Sequence, residues 1–451
     1  MFSRREFLER SLKGSSLLAL GSCVPGFVAS TALAAKHGKD NILVVVEMGG
    51  GNDGLSTVVP YADDLYHKAR PTLRFKKDDL IRVDDHIGLN PSLTGLSELL
   101  DNQQLAIVQG VGYPNPNRSH FESMDIWQTA DPRGKMRNGW LGRTIGDLQV
   151  RGGRIPAFHM GQGQLPLALQ GSATGVPSLN TEKPFGLDLI DEFYGHQPDG
   201  SQETPRRSAK KKTKEKDKST PAVGSRKQLV QDVARLAPAD KGGMLQFVRK
   251  TSLETYATID QFMEIMNEKF EVPDAQDDFS NGRYRELRSG LQYELMLVAR
   301  MIRAGFGTRI FYVSLDGFDT HSQQSGDHNE LLQKLGNAVQ TFFDELNSSG
   351  DAKRVVLMTF SEFGRRVREN GSKGTDHGAG SCLFVAGPAV KGGLIGKHPS
   401  LAQNDLDRGD LRYHTDFRQV YATLLDRWLG CASRHVLGDE FKHVELFSGK
   451  A

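Results

Sequence analysis

The chain has 451 residues and a net charge of +2, which allows one large domain with insertions or two domains. Hydrophobic residues make up 38% of it and charged residues 25%, as is typical of a soluble globular protein. The nearly balanced charge gives no reason to expect nucleic acid as a partner, and beyond the first 35 residues no apolar run is long enough to span a membrane.

Residues 1–34 are typical of an export signal. Ser3-Arg4-Arg5-Glu6-Phe7-Leu8 resembles the twin-arginine motif, an apolar stretch runs from Leu17 to Ala34, and Ala32-Leu33-Ala34 fits a cleavage site. We therefore expect the twin-arginine translocase to deliver the mature chain to the periplasm or outside the cell. Two alternatives remain, which are a membrane anchor with a chance arginine pair and a lipoprotein anchored through Cys23.

Strand and helix signals alternate between Asp40 and about Arg143. Ile42–Val46 and Leu105–Val108 are apolar runs that predict buried strands. Asn90-Pro91-Ser92 predicts a helix start, with the helix continuing through Leu100. A second helix is predicted to begin at Ser119, because Ser119 and Glu122 have the spacing of a capping box.

A basic segment, residues 198–226, interrupts this pattern. Eight Lys and Arg residues lie between Arg206 and Lys218, and the segment is almost free of apolar residues. Such a composition predicts a solvated, disordered insertion loop. A nucleic-acid or heparin patch is less favoured because no aromatic residues alternate with the basic ones.

Alternating helices and strands return in the remainder of the chain. Apolar residues at helical spacing from Leu287 to Ile302 predict a helix that Gly305 ends. Strands are predicted at 309–315, 354–360 and 382–386, and helices at 327–347 and 415–429. We therefore predict an α/β fold, with a doubly wound, mostly parallel sheet and helices on both faces, as a single domain over 35–447.

The mature chain contains two cysteines, Cys382 and Cys431. They could form a disulfide in an oxidising compartment. Both lie in apolar surroundings, which also suit buried free thiols, so the sequence leaves the two states open.

Acidic and histidine-containing loops follow the predicted strands. Sites in parallel sheets lie at the carboxyl ends of the strands, so these loops are expected to converge on one cleft. Carboxylate oxygens and imidazoles suit a divalent metal, and Zn, Mn, Ca and Mg all stay open as its identity. The candidate metal ligands are Asp53, Asp316, Asp319, His321, Glu362, Asp376 and His377.

Each of these loops also has a purely structural interpretation. Asp and Gly are ordinary turn residues, so Asn52-Asp53-Gly54 and the loop of Asp316 and Asp319 could simply be turns. Ser361 and Glu362 could open a helix. The run Gly49-Gly50-Gly51 lets the backbone approach a ligand closely, but it is not a nucleotide-binding motif.

Three further residues are candidates for catalysis. Ser119 is the best nucleophile, because a helix start favours an anion and a metal could activate the hydroxyl. Arg118 and Arg365 could hold a tetrahedral anion. The structural alternative for Ser119 is the helix cap described above.

Five motifs resemble those of a twin-arginine-exported bacterial family without a settled activity, within the alkaline-phosphatase-like and sulfatase-like superfamily. The resemblance covers residues 40 to 447. The motifs are Gly50-Gly51-Asn52-Asp53-Gly54-Leu55, Arg118-Ser119-His120-Phe121, Gly317-Phe318-Asp319-Thr320-His321, Ser361-Glu362-Phe363-Gly364-Arg365 and Gly374-Thr375-Asp376-His377-Gly378.

The resemblance implies an alkaline-phosphatase-like fold with a nucleophile beside divalent metals. It places Asp53 near the first acidic ligand and Ser119 near the nucleophile. It also implies that Asp319, His321 and His377 bind metal. Where many superfamily members have Ser-Asp-His-Gly, this chain has Phe363 in place of the histidine. This departure predicts one metal, or a second site completed by Asp376 or His120.

The function expected from these observations is that of an exported metal-dependent hydrolase of phosphate or sulfate esters. Its substrate would be a small or polymer-linked anionic ester. The alternative is a non-catalytic envelope protein that retains the fold and a structural metal, which the replacement at Phe363 favours. A redox protein is a weaker third hypothesis, since twin-arginine substrates often carry redox cofactors.

Overall fold

A computed structural model describes residues 40–149, 156–161, 164–172, 175–179 and 290–448, all of which belong to one compact unit. The predicted export signal and the basic segment 198–226 lie outside the described residues.

A mixed sheet forms the centre of this unit. Within the described residues it contains nine strands, and their order is β11-β5-β10-β9-β1-β8-β6-β7, with β12 paired to β5. A small antiparallel sheet has the order β2-β4-β3. The strands are β1 Ile42–Gly49, β2 Val58–Val59, β3 Ile81–Arg82, β4 Gly88–Leu89, β5 Leu105–Gly112, β6 Ala157–Met160, β7 Ser178–Leu179, β8 Ile310–Asp316, β9 Val355–Phe360, β10 Ser381–Ala386, β11 Gly393–Ile395 and β12 Thr415–Asp416.

The three strands at the centre of the sheet are parallel. Strand β1 pairs with β8 on one side and β9 on the other, so their carboxyl ends meet at one edge, with Gly49 opposite Asp316 and Glu47 opposite Phe360. Strand β10 is antiparallel to both of its neighbours, β9 and β5. The predicted mostly parallel α/β sheet is therefore confirmed.

Helices surround the sheet. The α-helices are α1 Gly54–Thr57, α2 Asp64–Ala69, α3 Ser97–Asp101, α4 His120–Thr129, α5 Trp140–Gln149, α6 Leu291–Arg303, α7 Gln324–Ser349, α8 Phe417–Thr423 and α9 Ser433–Leu437. Short 3-10 turns are Lys77–Asp79, Pro91–Leu96, Leu167–Leu169, Ala352–Arg354 and Gln403–Asp405, and Leu424–Leu429 is a π-helical turn. In the part of the chain that the structure describes, no helix is both long and apolar enough to cross a membrane.

Alternate side chains of β1 belong to two different hydrophobic cores, as expected for a strand buried on both faces. Val44 and Val46 pack in a core with residues of α6 and α7. Leu43 and Val45 pack in the opposite core, to which α4, α5 and α8 contribute the aromatic residues Trp127, Trp140 and Tyr421. Helices therefore cover both faces of the sheet, as predicted.

Local predictions had mixed outcomes. Helix α6 ends at Arg303, and Gly305 follows with φ +68°, as expected. The single helix predicted through Leu100 is wrong, because the segment begins as a 3-10 turn with non-helical φ/ψ at Leu93 and becomes α-helical only at Ser97. Cys382 and Cys431 are free thiols, so the disulfide alternative is not realised.

Candidate metal site

Side chains from three stretches of the chain meet beyond the carboxyl ends of β1, β8 and β9. The loop after β8 carries Asp319 and His321. His120 is the first residue of α4. His377 lies on a segment that forms an antiparallel bridge with Arg365, in the loop after β9.

His377 lies at hydrogen-bond distance from each of the other three residues. His377 Nε2 is 3.1 Å from His120 Nε2 and 3.2 Å from Asp319 Oδ1, and these three residues together could hold a metal ion. His321 Nε2 lies 2.9 Å from His377 Nε2 and 3.0 Å from Asp319 Oδ1. We call His120, Asp319, His321 and His377 the histidine cluster.

The opposite nitrogen of each imidazole faces an acceptor. His377 Nδ1 is 2.8 Å from the Arg118 carbonyl oxygen, and His120 Nδ1 is 2.7 Å from Glu362 Oε1. His321 Nδ1 lies 3.6 Å from Asp376 Oδ1. The Arg118 carbonyl and Glu362 accept hydrogen bonds from the Nδ1 atoms of His377 and His120, which directs the Nε2 atoms of both rings into the cluster. Such outer partners orient metal-binding histidines in proteins.

Lone pairs that converge at these distances repel one another unless a proton or a cation lies between them. Burial lowers the pKa of His377, and the charges of Arg365 and His120 act in the same direction, so this ring favours its neutral form. Partial burial opposes ionisation of Asp319, but the hydrogen bond and charge of Arg365 lower the pKa of its carboxyl to about 2. The cluster therefore offers the Asp319 carboxylate and the neutral His377 imidazole as ligands.

Arg365 holds the loops of the site together. Its side chain is buried, and Nε donates to the Gly51 carbonyl at 2.7 Å. Nη1 donates to Thr375 O at 2.9 Å, while Nη2 donates to Phe318 O at 3.0 Å and to Asp319 Oδ1 at 2.7 Å. This placement leaves Arg365 no exposed donor for the tetrahedral anion that the sequence assigned to it.

Glu362 orients the cluster by accepting a hydrogen bond from the outer nitrogen of His120. The residue is buried, and its Oε1 also accepts from Gly50 N at 2.9 Å, in addition to facing His120. Its Oε2 accepts from Ser361 Oγ at 2.9 Å. Phe363 packs beside the site, with its ring centroid 4.9 Å from those of His120 and His377. Phe363, which stands where the Ser-Asp-His-Gly motif has its histidine, thus contributes an apolar surface to the site.

Ser119 is the N-cap residue of α4, but its side chain makes no capping hydrogen bond. The expected capping box with Glu122 is therefore wrong, because the Glu122 carboxylate accepts from Asn117 Nδ2 instead. The Arg118 guanidinium forms an ion pair with Asp410, with Nε at 2.9 Å from Oδ2. Ser119 thus keeps a hydroxyl that the helix start does not use, directly before a member of the cluster.

Asp53 lies outside the histidine cluster and is fully engaged elsewhere. Arg70 Nη2 donates to Oδ1 at 2.9 Å, and Oδ2 accepts from Arg70 Nη1, from Ser56 Oγ at 2.7 Å and from Gln324 Nε2 at 2.5 Å. Burial opposes ionisation, but the charge of Arg70 holds the carboxyl pKa far below its usual range. In this structure Asp53 forms a buried ion pair and does not face the ligand atoms.

The remaining two predicted ligands lie around the cluster rather than in it. Asp376 accepts from Asn370 Nδ2 at 3.0 Å and faces the outer nitrogen of His321. Asp316 lies against Gly49, where an added Cβ would come within 2.1 Å of Asp316 Oδ1. Burial and the negative charge of Glu362 raise the pKa of Asp316.

His120 is the cluster member that the sequence offered only as a possible completion of a second site. Its position at a helix start beside Ser119 was the available signal. The pairing of Asp53 with Arg70 had no comparable signal, because Arg70 follows α2 and lies 17 residues away in the sequence.

Fold and geometry define an α/β protein with a candidate metal site at the carboxyl ends of its central parallel strands. The chain belongs to the family described as "Protein of unknown function (DUF1501)", whose model matches residues 40–439. No curated protein matches the sequence.

Among solved structures, the chain is similar to a sulfatase from Pseudoalteromonas sp., with 10% identity and a TM-score of 0.34 over 83% of this chain and 68% of that chain. It is also similar to a Vibrio parahaemolyticus protein in the alkaline phosphatase superfamily, with 10% identity and a TM-score of 0.30. That match covers 80% of this chain and 63% of that chain.

Loss of Arg365 is expected to be far more damaging than loss of its neighbour. Arg365→Met leaves Asp319 and several buried carbonyls without a partner, which should cost about 3–5 kcal/mol of unfolding free energy. Arg366→Met is the matched control, because the Arg366 side chain is 37% exposed, and its change should stay within about 1 kcal/mol. Urea denaturation measures both values, and equal losses for the two variants would contradict the assigned role of Arg365.

Stability should fall between pH 6.5 and 4 because of buried His328. Its Nε2 lies 3.1 Å from Asn52 Oδ1, and burial lowers its pKa to about 4. The unfolded chain takes up a proton below about pH 6.5, whereas the folded chain does so only near pH 4, so stability is complete above this window and lost as pH falls through it.

The His328→Gln variant should remove up to about 1.4 kcal/mol per pH unit from the slope of unfolding free energy against pH in this window. Exposed His86→Gln is the control and should leave the slope unchanged. Urea titrations at pH 4.5, 5.5, 6.5 and 7.5 give the slopes. A wild-type slope in the His328 variant would show that this histidine does not titrate as assigned.

Proposed function

We propose that this chain is an exported metal-dependent hydrolase of phosphate or sulfate esters. The observation that carries the proposal is the convergence of His120 Nε2, His377 Nε2 and Asp319 Oδ1, in which both rings are oriented by an acceptor on Nδ1. Proteins use such nitrogen and oxygen sets to bind transition metals.

Zinc is the favoured ion, with manganese second. Two imidazoles and one carboxylate, from His120, His377 and Asp319, match the three protein ligands of zinc sites that keep a fourth position for water or substrate. Calcium and magnesium prefer sets made of oxygen ligands, and the nearby oxygens of Glu362 and Asp53 are already held by His120, Gly50 and Arg70. The four ions that the sequence left open are thereby ranked, with zinc first, manganese second, and calcium and magnesium last.

A divalent ion at this site would polarise the ester and lower the pKa of a hydroxyl or water beside it. Ser119 is the proposed nucleophile, because its hydroxyl makes no cap and it precedes His120 at the start of the ten-residue helix α4. The helix N-terminus favours the negative charge that develops there. Arg118, whose side chain is 36% exposed, is the proposed anion contact and would exchange its partner Asp410 for substrate.

Export is part of the proposal and is supported by the motif Ser3-Arg4-Arg5-Glu6-Phe7-Leu8 with its apolar stretch and cleavage site. We propose that the enzyme works in the periplasm or outside the cell on an anionic ester. The non-catalytic alternative is a protein with the same fold and a structural ion. Such a protein would bind metal as the proposed enzyme does, but it would not turn over any ester.

Metal binding should depend on the ligands and on their outer partners. We expect the wild type to bind about one zinc ion per chain, and His377→Ala to lose most of it. Glu362→Gln should weaken affinity about 10–100-fold, because the orienting charge behind His120 is removed. His86→Ala is the control and should bind as the wild type does. Competition with a chelator, followed by elemental analysis, gives the affinities, and a wild type without zinc or manganese would refute the site.

Turnover should require both the metal and Ser119. A panel of aryl phosphates, aryl phosphodiesters and aryl sulfates identifies the ester class. Ser119→Ala should lower kcat on the order of 10³-fold or more while zinc content stays constant. Metal-dependent turnover that survives this substitution would assign the attack to water instead. Zinc binding without turnover of any ester would favour the non-catalytic alternative.

A further inference from the structure

A second polar cleft lies beside the candidate metal site. Its volume is about 610 Å³, and the segments 396–400 and 412–415 contribute most of its lining. The side chains that matter for its chemistry are Lys397, His398, Asp405, Arg412, Tyr413 and His414.

The cleft carries more positive than negative charge. Lys397 and Arg412 are exposed, and neither has an ion-pair partner among the described residues. The single carboxylate of the lining, Asp405, accepts a hydrogen bond from Ser400 Oγ at 2.6 Å. Two unpaired cations in a concave surface attract anions and focus the field there.

Other hydrogen-bonding groups accompany these charges. His398 Nδ1 lies 2.8 Å from the Pro399 carbonyl, and its other nitrogen makes no hydrogen bond within the described ranges. The His414 ring is held between two glycines, because an added Cβ at Gly110 would lie 2.2 Å from Nε2 and one at Gly396 would lie 3.2 Å from Cε1. Both nitrogens of His414 face partners within the fold, Thr415 Oγ1 and the Lys397 carbonyl. His398 Nε2 and the Tyr413 phenol are therefore the groups that suit a ligand rich in hydroxyl groups.

A short segment, residues 410–415, joins the cleft to the histidine cluster, and we call it the strap. Arg118, whose carbonyl holds His377, is ion-paired to Asp410. Arg412 follows two residues later, and two residues of chain span at most about 7 Å. Leu411 O accepts from Gly380 N at 3.1 Å, three residues beyond His377. The strap thus borders both the site and the cleft.

We propose that this cleft binds an anionic saccharide chain whose ester group reaches the candidate metal site. The continuation into the metal site rests on the proposed function, whereas anion binding in the cleft does not. Two cations, the His398 imidazole and the Tyr413 phenol fit anionic groups spaced among sugar hydroxyls. A nucleic acid fits less well, because single strands are bound by stacked aromatic side chains and Tyr413 is the one aromatic phenol or phenyl ring in the lining.

Binding of a sulfated dextran oligosaccharide by calorimetry tests the cleft without any need for turnover. We expect binding that weakens with salt, and no binding of the neutral dextran oligosaccharide of equal length. The double variant Lys397→Gln and Arg412→Gln should weaken it at least about 10-fold. The double variant Lys334→Gln and Lys353→Gln removes two exposed charges elsewhere and should change it less than about 2-fold.

Three results would overturn the proposal: equal binding of the neutral oligosaccharide, wild-type affinity in the Lys397 and Arg412 variant, or tighter binding of oligothymidine than of the sulfated chain. The His377→Ala protein separates this proposal from the function proposed above. Binding that persists in this variant, together with absent turnover in the wild type, would refute the hydrolase and support the saccharide cleft.

Discussion

The candidate metal site depends on one buried guanidinium, that of Arg365. It donates to carbonyls in the loops after β1 and β8 and to Asp319, while its own backbone pairs with the segment of His377. Burying the guanidinium charge costs free energy, and the hydrogen bonds to these several acceptors offset that cost. Four residues earlier, Ser361 accepts from Asn52 N, and Glu362 accepts from Gly50 N. A single five-residue segment therefore sets the position of both neighbouring loops.

The sheet could be predicted from sequence because strands buried on both faces must be continuously apolar. That requirement located β1, β8, β9 and β10 to within a few residues. The direction of β10 could not be predicted, since an apolar run looks the same in a parallel and an antiparallel strand. Strands as short as β7 and β12 carry too few side chains to produce a pattern.

The sequence predicted which loops would meet, but not which atoms would face one another. Glu362 and Asp376 were grouped with Asp319 as ligands, yet each faces the Nδ1 atom of an imidazole ring and not the cluster. Which of these positions a carboxylate takes depends on side-chain rotamers, which the sequence does not specify. Asp53 was grouped with them too, but Arg70 takes both of its oxygens. Residue type and spacing do not distinguish a carboxylate that faces a metal from one that orients a histidine or balances a buried arginine.

His120 and His377 approach each other across 257 residues of chain. Closing so long a loop costs conformational entropy that only the paired central strands can offset, and contacts of this range form slowly. The unfolded chain has no such site, so an ion would be captured late, by a domain whose sheet is already assembled. Because the rings are oriented by Glu362 and the Arg118 carbonyl, the fold has no need to wait for the ion. Occupancy would thus report that folding is complete.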